Sequence, residues 1–305
     1  MAEGMLSGKV AIVSGSGRGI GRAIAIMMAS RGASVVVNDV GAGLSDQNLD
    51  KTPAQEVVDT ITKAGGKAVA AYDSVTDWDG AHRIVKAALD NFGRVDCLVN
   101  NAGILRDKMF HNMPKEDIDD VVKVHLYGAF NMSRACVEHF RKQESGVFLH
   151  MTSRSGLFGN VGQANYAAAK LALVGFSNCL QLEMERFNVR SNCISPSANT
   201  RMTQSVPSGR RGGAEAQAAR LAAIPPEGVA SLATMLASDA AAGVKGQIIG
   251  ARGSEIILYN HPRPVRILQR DGGWSPETLA EAMPALSSLY TPMQAGSDSI
   301  KWNPV

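Results

Sequence analysis

Tyr166 stands four residues ahead of Lys170 in the segment QANYAAAK (163–170). Alanine is the best helix former, so this segment is predicted to be helical. Residues four apart share a helix face, which sets a phenol beside an ammonium with only small side chains between them. A free phenol titrates near ~10, and a neighbouring ammonium favours the phenolate and lowers that value. Such a tyrosine can take the proton of an alcohol as its hydride departs, or return a proton in the reverse direction. Ser153 lies thirteen residues earlier, at the end of an expected strand. Its hydroxyl is suited to hold the reacting oxygen and stabilise charge developing there. A Y-x-x-x-K spacing alone is no more than a solvated helix face, so its surroundings must decide.

A second group of residues has the chemistry of phosphate binding. The apolar run KVAIVSG (9–15) leads straight into SGSGRGIG (14–21) and then a helical segment. Gly15, Gly19 and Gly21 permit a tight turn, close approach of backbone to a pyrophosphate and close helix–strand packing. The helix N-terminus then faces the phosphates. Glycine patterns are common in turns, but Asp39 follows Gly21 by 18 residues, at the end of the next strand. That is close to the spacing of a ribose-binding carboxylate. Ser14, Gly15, Gly17, Arg18, Gly19, Ile20, Gly21 and Asp39 are therefore the expected first half of a dinucleotide site. A carboxylate at Asp39 accepts from a 2′-hydroxyl and repels a 2′-phosphate, which favours NAD over NADP. Arg18 cuts the other way, because a guanidinium there can meet that phosphate. Asp73 and Ser74, ending the third strand, are within reach of the adenine. Asn100, Ala102 and Gly103, in NNAG at the end of the fourth, suit a wall against the cofactor.

These residues need a scaffold, and the 305-residue chain supplies a regular one. Apolar, β-branched runs at 9–15, 33–39, 68–74, 97–103, 146–153 and 189–196 alternate with helical segments at 20–31, 53–64, 79–91, 116–142 and 164–186. A last strand is expected at 246–253. Apolar residues fill both faces of the runs, as in strands covered by helices on two sides. The alternation predicts a doubly wound α/β parallel sheet. The net charge is +3 with no block of like charge, which gives no argument for nucleic acid. No apolar stretch approaches the ~20 residues of a membrane span. The four cysteines, Cys97, Cys136, Cys179 and Cys193, form no C-x-x-C pair, so neither a metal nor a redox motif is indicated. With no charged, apolar leader at MAEGMLSGKV, the expectation is a cytoplasmic protein.

Taken together, the glycine pattern, Asp39, NNAG, Ser153 and Y-x-x-x-K resemble the classical short-chain dehydrogenase/reductase family over about residues 6–255. The resemblance implies a Rossmann fold of about seven parallel strands and a homodimer or homotetramer. It implies Tyr166 as catalytic acid/base, Ser153 as its partner, and Lys170 as a catalytic residue that also holds the nicotinamide ribose with Tyr166. Pro196 and Thr200, after the sixth strand, join the cofactor contacts. The stretches NNAGILRDKMF, VHLYGAF and MTSRSGLFGNVGQANYAAAK, with the insert at 40–53, are most similar to the (3R)-hydroxyacyl-CoA dehydrogenase subgroup of peroxisomal multifunctional enzymes, some of which act on 17β-hydroxysteroids. Its implied substrate is a 3-hydroxyacyl-CoA.

The chain departs from the family pattern at three places. His125 replaces the asparagine that many members use in a proton relay, and is read either as a variant relay or as a core histidine. Pro196-Ser197 stands for the usual Pro-Gly, and Ala251-Arg252-Gly253 for a double glycine. Residues 201–226, rich in Gly, Ser, Ala and Arg, are expected to be a mobile lid. Its Arg201, Arg210, Arg211 and Arg220 either meet coenzyme A phosphates or simply solubilise a loop. The extension 256–305 is expected to pack on the same domain, with a helix opening at Ser275-Pro276. The functional readings left open are a hydroxyacyl-CoA or hydroxysteroid dehydrogenase, a 3-oxoacyl reductase, and an NAD-sensing protein without turnover.

Overall fold

A computed structural model of the chain describes residues 4–41, 52–200, 222 and 224–291. The insert residues 42–51, and 201–221 with 223 of the expected lid, lie outside the described residues, and with them Arg201, Arg210, Arg211 and Arg220.

Eight strands form a single sheet in the order β3-β2-β1-β4-β5-β6-β7-β8. They are β1 (Val10–Ser14), β2 (Ser34–Asn38), β3 (Lys67–Ala71), β4 (Cys97–Asn100), β5 (Gly146–Met151), β6 (Val189–Ser197), β7 (Ile248–Arg252) and β8 (Glu255–Tyr259). The first seven are parallel, and β8 returns antiparallel on β7. The seven expected strands are therefore present, and an eighth, in SEIILYN (254–260), extends the sheet. The added hairpin turns at Gly253, whose φ of 58° needs a glycine, and Arg252 pairs with Glu255 across it.

Side-chain alternation explains the two covered faces. Ala11, Val13, Val35, Val37, Val99 and Leu149 point to one side. There they meet α1 (Gly19–Ser30), α2 (Thr52–Lys63) and the helix Glu227–Ala237. Val10, Ile12, Val36, Leu98 and Phe148 point to the other, against α3 (Trp78–Phe92) and α5 (Gly128–Gln143). The chain runs outward from β1 to β3 and then crosses back to β4 beside β1. That reversal opens a crevice beyond the carboxyl ends of β1 and β4, where ligands bind in such sheets.

The segment expected as one helix over 116–142 is three pieces: α4 (Lys115–Val122), a π-helical turn over Lys123–Tyr127, and α5. The N–H of Gly128 donates to the carbonyl of Lys123, five residues back. The wider turn adds a residue to the helical path and brings His125 inward. The site is completed by α6 (Arg154–Phe158) and α7 (Ala164–Met184).

Two compact units divide the chain, Met1–Tyr259 and Asn260–Val305. In the described part of the second, Ser275 and Thr278 form a reciprocal capping box with Pro276 in the first turn, opening the helix Pro276–Ala282.

Candidate active site

The glycine turn is shaped by what it must pass. Gly15 has φ 62°, and a Cβ there would lie 2.8 Å from the Cα of Ala102 on the neighbouring strand end. A Cβ on Gly21 would lie 2.3 Å from the carbonyl oxygen of Gly15. The first turn of α1 has no side-chain cap at Arg18 and no acidic residue, so its N–H groups are left for an anion. Asn101, absent from the expected contacts, ties the crevice together. Its Nδ2 donates to the carbonyls of Ser14 (2.9 Å) and Gly15 (3.0 Å). Ser14 serves the same seam: its Oγ accepts from the N–H groups of Asn101 and Ala102.

Asp39 lines the crevice and accepts from the N–H of Gly17 (2.9 Å) and of Gly41 (2.8 Å). A Cβ on Gly17 would lie 2.9 Å from both Asp39 Oδ2 and the ring Cβ of Pro53, so a side chain there would displace the carboxylate. Ser74 lines the crevice with Val75 and Thr76, two residues that had no signal in the sequence. Asp73 is instead bonded to Arg83 at 2.7 Å. Asn100 lies beneath the crevice, donating to Ser133 Oγ (3.1 Å) with His150 Nδ1 at 3.2 Å. The cavity has a volume of about 330 Å³ and runs from Gly15, Arg18, Gly19, Ile20, Gly21 and Asp39 to Tyr166, Lys170, Pro196 and Thr200, with Ala102 and Gly103 on its wall. A glycine cradle, an uncapped helix end and a distal carboxylate fit a dinucleotide.

At the far end, Ser153 caps α6, its Oγ accepting from the N–H of Ser155 at 3.1 Å. It is within hydrogen-bonding reach of the phenol of Tyr166 in the first turn of α7. Lys170 is buried, and its Nζ donates to the carbonyl of Met151 at 2.5 Å. Burial pulls its ammonium down to about 7. Its Nζ is 5.7 Å from the centre of the Tyr166 ring. The phenol titration is raised, not lowered as the i,i+4 spacing predicts. Burial is the larger cause, the charge of Asp107 adds to it, and the Ser153 bond opposes it. The spacing argument assumed a solvated ammonium, whereas the fold buries both groups together.

His125 stands edge-on to Tyr166, with ring centroids 5.1 Å apart. Its Nε2 lies 2.8 Å from the carbonyl oxygen and 3.1 Å from the N–H nitrogen of Ile104, while the buried Nδ1 has no hydrogen-bond partner among the described residues. Burial first, then the charge of Lys170, hold the ring neutral by lowering its titration well below the usual histidine range. His150, which the sequence did not single out, is wholly buried in the same region and lowered to about 3 by the same two causes.

Two polar residues flanking Tyr166 were also missed. Gln163 donates from Nε2 to Asp107 at 2.7 Å, and its Oε1 accepts from Ser155 Oγ (2.8 Å) and Asn160 Nδ2 (2.9 Å). Asn165 donates to the carbonyls of Arg106 (3.1 Å) and Asp117 (3.0 Å). Side-chain amides at the start of a helix read as ordinary cap and first-turn residues, and their distant partners have no local signature. Among the described residues no cluster of His, Cys, Asp and Glu is placed to hold a metal, and no helix is long and apolar enough to cross a membrane.

Residues 9–211 match the short chain dehydrogenase family. A peroxisomal hydratase-dehydrogenase-epimerase of Neurospora crassa is 40% identical over 96% of this chain, which spans 32% of that protein. A hydroxyacyl-CoA dehydrogenase of Mycobacterium tuberculosis is 37% identical over 91% of this chain and 88% of its own length. A short chain dehydrogenase from Mycobacterium avium superposes with a TM-score of 0.82 at 37% identity, covering 95% of this chain and 98% of that one. A 7α-hydroxysteroid dehydrogenase solved with NADH and a 7-oxo bile acid superposes at 0.73 with 31% identity, over 83% of this chain and 97% of that one. With a crevice, a glycine cradle and a Ser–Tyr–Lys group at one sheet edge, the chain belongs to the short-chain dehydrogenase family of oxidoreductases.

Proposed function

We propose that the protein oxidises the secondary alcohol of a 3-hydroxyacyl-CoA with NAD. The observation that carries this reading is the convergence of Ser153, Tyr166 and Lys170 at one end of a crevice whose other end holds Asp39. Bound NAD supplies the hydride acceptor. Ser153 and Tyr166 hold the substrate oxygen between their hydroxyls, and Tyr166 moves its proton. Lys170, anchored on Met151, presents its remaining N–H groups to the ribose side of the crevice. His125 walls the phenol from solvent and keeps one ring nitrogen, Nδ1, without a partner at the same buried end.

Asp39 supports NAD over NADP: both its oxygens accept backbone N–H groups, which fix the side chain towards the ribose position. Arg18 lines the same cavity and is the residue through which NADP would be accommodated. The acyl-CoA class is supported by the two hydroxyacyl and multifunctional relatives, and a bulky hydroxysteroid by the 7α-hydroxysteroid dehydrogenase. One observation favours a second reading, the reverse reduction of a 3-oxoacyl thioester: burial and Asp107 keep Tyr166 protonated, the form that donates.

A homodimer is proposed through the outer faces of α5 and α7. There Phe130 is exposed and stacks on Phe176 at 3.9 Å, and Leu182 is exposed nearby. We place the protein in the cytoplasm because Cys97, Cys136 and Cys193 are buried free thiols. The peroxisomal relatives name the alternative, which fractionation decides.

The test is NADH formation by purified protein with NAD and a panel of 3-hydroxyacyl-CoAs and free hydroxysteroids, run beside Tyr166→Phe. Turnover of the CoA esters, lost at least ~100-fold in Tyr166→Phe with NAD binding kept, is the expected result. Silence across the panel, or a Tyr166→Phe variant as active as the parent, overturns the reading.

A further inference from the structure

Ser153 and Tyr166 are separated by a loop and a short helix, yet their hydroxyls must meet one substrate oxygen. The element that folds this stretch into one shape is Gln163. It is 4% exposed, and both ends of its amide are used. The oxygen Oε1 gathers Ser155 Oγ and Asn160 Nδ2, and Nε2 reaches 56 residues back to Asp107 in the loop after β4. Ser155 in turn donates its N–H to Ser153 Oγ. A continuous chain of hydrogen bonds therefore runs from Asp107 through Gln163 and Ser155 to Ser153. The same loops are joined again at Lys108 N–H to the Gly162 carbonyl, 2.9 Å. Gln163 sits one turn before Tyr166, so it ties both hydroxyl-bearing residues to a single point.

We propose that Gln163 and Asp107 are positioning residues: their clasp sets Ser153 and Tyr166 in one geometry, and Asp107 aims a negative charge at the phenol. The inference rests on the assignment of Ser153 and Tyr166 as the reacting pair. The titratable groups facing the phenol are Asp107 from the loop after β4, Lys170 from its own helix and His125 from the π turn. The neighbouring cations Lys108 and Arg106 are paired with Asp117 (2.8 Å) and Asp120 (3.9 Å). Burial raises the Asp107 carboxyl above the usual carboxylate range, and the Gln163 bond opposes that rise, favouring the ionised form. A charged Asp107 opposes the phenolate. It thereby adds to burial in raising the pH above which Tyr166 can act as base.

Three variants separate geometry from charge. Asp107→Asn retains an oxygen that accepts from Gln163 Nε2 but removes the charge. Gln163→Glu keeps the acceptor for Ser155 and Asn160 but sets two carboxylates against each other. In the double variant the introduced amide donates to the introduced carboxylate, restoring the bond in the opposite sense. With NAD and racemic 3-hydroxydecanoyl-CoA, Gln163→Glu is expected to lose about 100-fold in kcat with KM little changed, the scale of a small misplacement of reacting groups. The double variant is expected to recover most of that loss. Asp107→Asn is expected to move the rising limb of the oxidation pH profile to lower pH. It should move the Tyr166 phenolate absorbance, read as the difference from Tyr166→Phe, in the same direction. A Gln163→Glu kcat within about threefold of the parent, or a double variant no better than Gln163→Glu, overturns the clasp. An unmoved limb and unmoved phenolate absorbance in Asp107→Asn overturn the role of the charge. If Tyr166→Phe is as active as the parent, the assignment of the reacting pair has failed instead.

Discussion

A Cβ on Gly103 would lie 2.3 Å from Cε1 and 3.0 Å from Nδ1 of His125. The glycine of NNAG therefore serves the histidine as much as the cofactor wall. It leaves the space into which the π turn delivers an imidazole, against Ile104 on one side and Tyr166 on the other. Gly103→Ala forces the ring to move. It should cost about 1–3 kcal/mol in urea unfolding, the usual range for overpacking. Adding His125→Ala to Gly103→Ala should cost less than His125→Ala costs in the parent, because the clash is relieved. Additive losses would show that the ring does not occupy this space.

Asp39 holds the turn by one property, and on the proposed reading it selects the cofactor by another. The bond to Gly17 needs only an acceptor, whereas rejection of a 2′-phosphate needs a charge. Asp39→Asn should therefore keep the fold and raise kcat/KM for NADP relative to NAD by at least about tenfold, which is 1.4 kcal/mol. The ratio of the two cofactors' kcat/KM measures it directly. An unchanged ratio would assign selectivity elsewhere.

Lys170 makes the folded state sensitive to pH. Its ammonium is drawn from 10.5 down to about 7 by burial, so between those values the unfolded chain binds more protons than the folded one. Stability contributed through this group rises as pH climbs through that window, and the penalty is fully present below about 7. Lys170→Met should raise the melting temperature of the cofactor-free protein most at pH values below about 7, with the gain fading towards pH 10. A constant difference across the window would mean that Lys170 is not desolvated in solution.

Arg190 has a purely architectural task. Its buried guanidinium donates to the carbonyls of Leu236 (2.8 Å), Ala241 (2.9 Å) and Ser238 (2.9 Å), where the helix Glu227–Ala237 ends. Arg190→Met leaves these acceptors without a donor and should cost about 3 kcal/mol in urea unfolding. Arg190→Lys should recover only part, since one ammonium cannot span the fork. Full recovery by lysine would show that charge, not the planar geometry, is what the helix end requires.

Short-range pattern was enough for the frame of this protein. Apolar β-branched runs beginning 24–49 residues apart mark β1–β6 within a few residues. The glycines of 15–21 announce a turn that only residues without a Cβ can make, and Asp39 follows at a distance set by one helix and one strand. The i,i+4 spacing places Tyr166 and Lys170 on one helix because helix geometry is local. The relations that only tertiary structure decided are those between residues far apart in the chain. Asn101 reaches 87 residues back to Ser14, and Gln163 reaches 56 residues back to Asp107. Neither partner has a periodicity that names the other. His125 faces inward because a π turn interrupts a segment whose apolar spacing looks continuous. Spacing also misdirects the titration of Tyr166: two groups can be named as neighbours from sequence, but whether their charges are solvated depends on how much protein closes over them. Desolvation is a property of the packed molecule, and it reverses the sign that the neighbouring charge alone predicts.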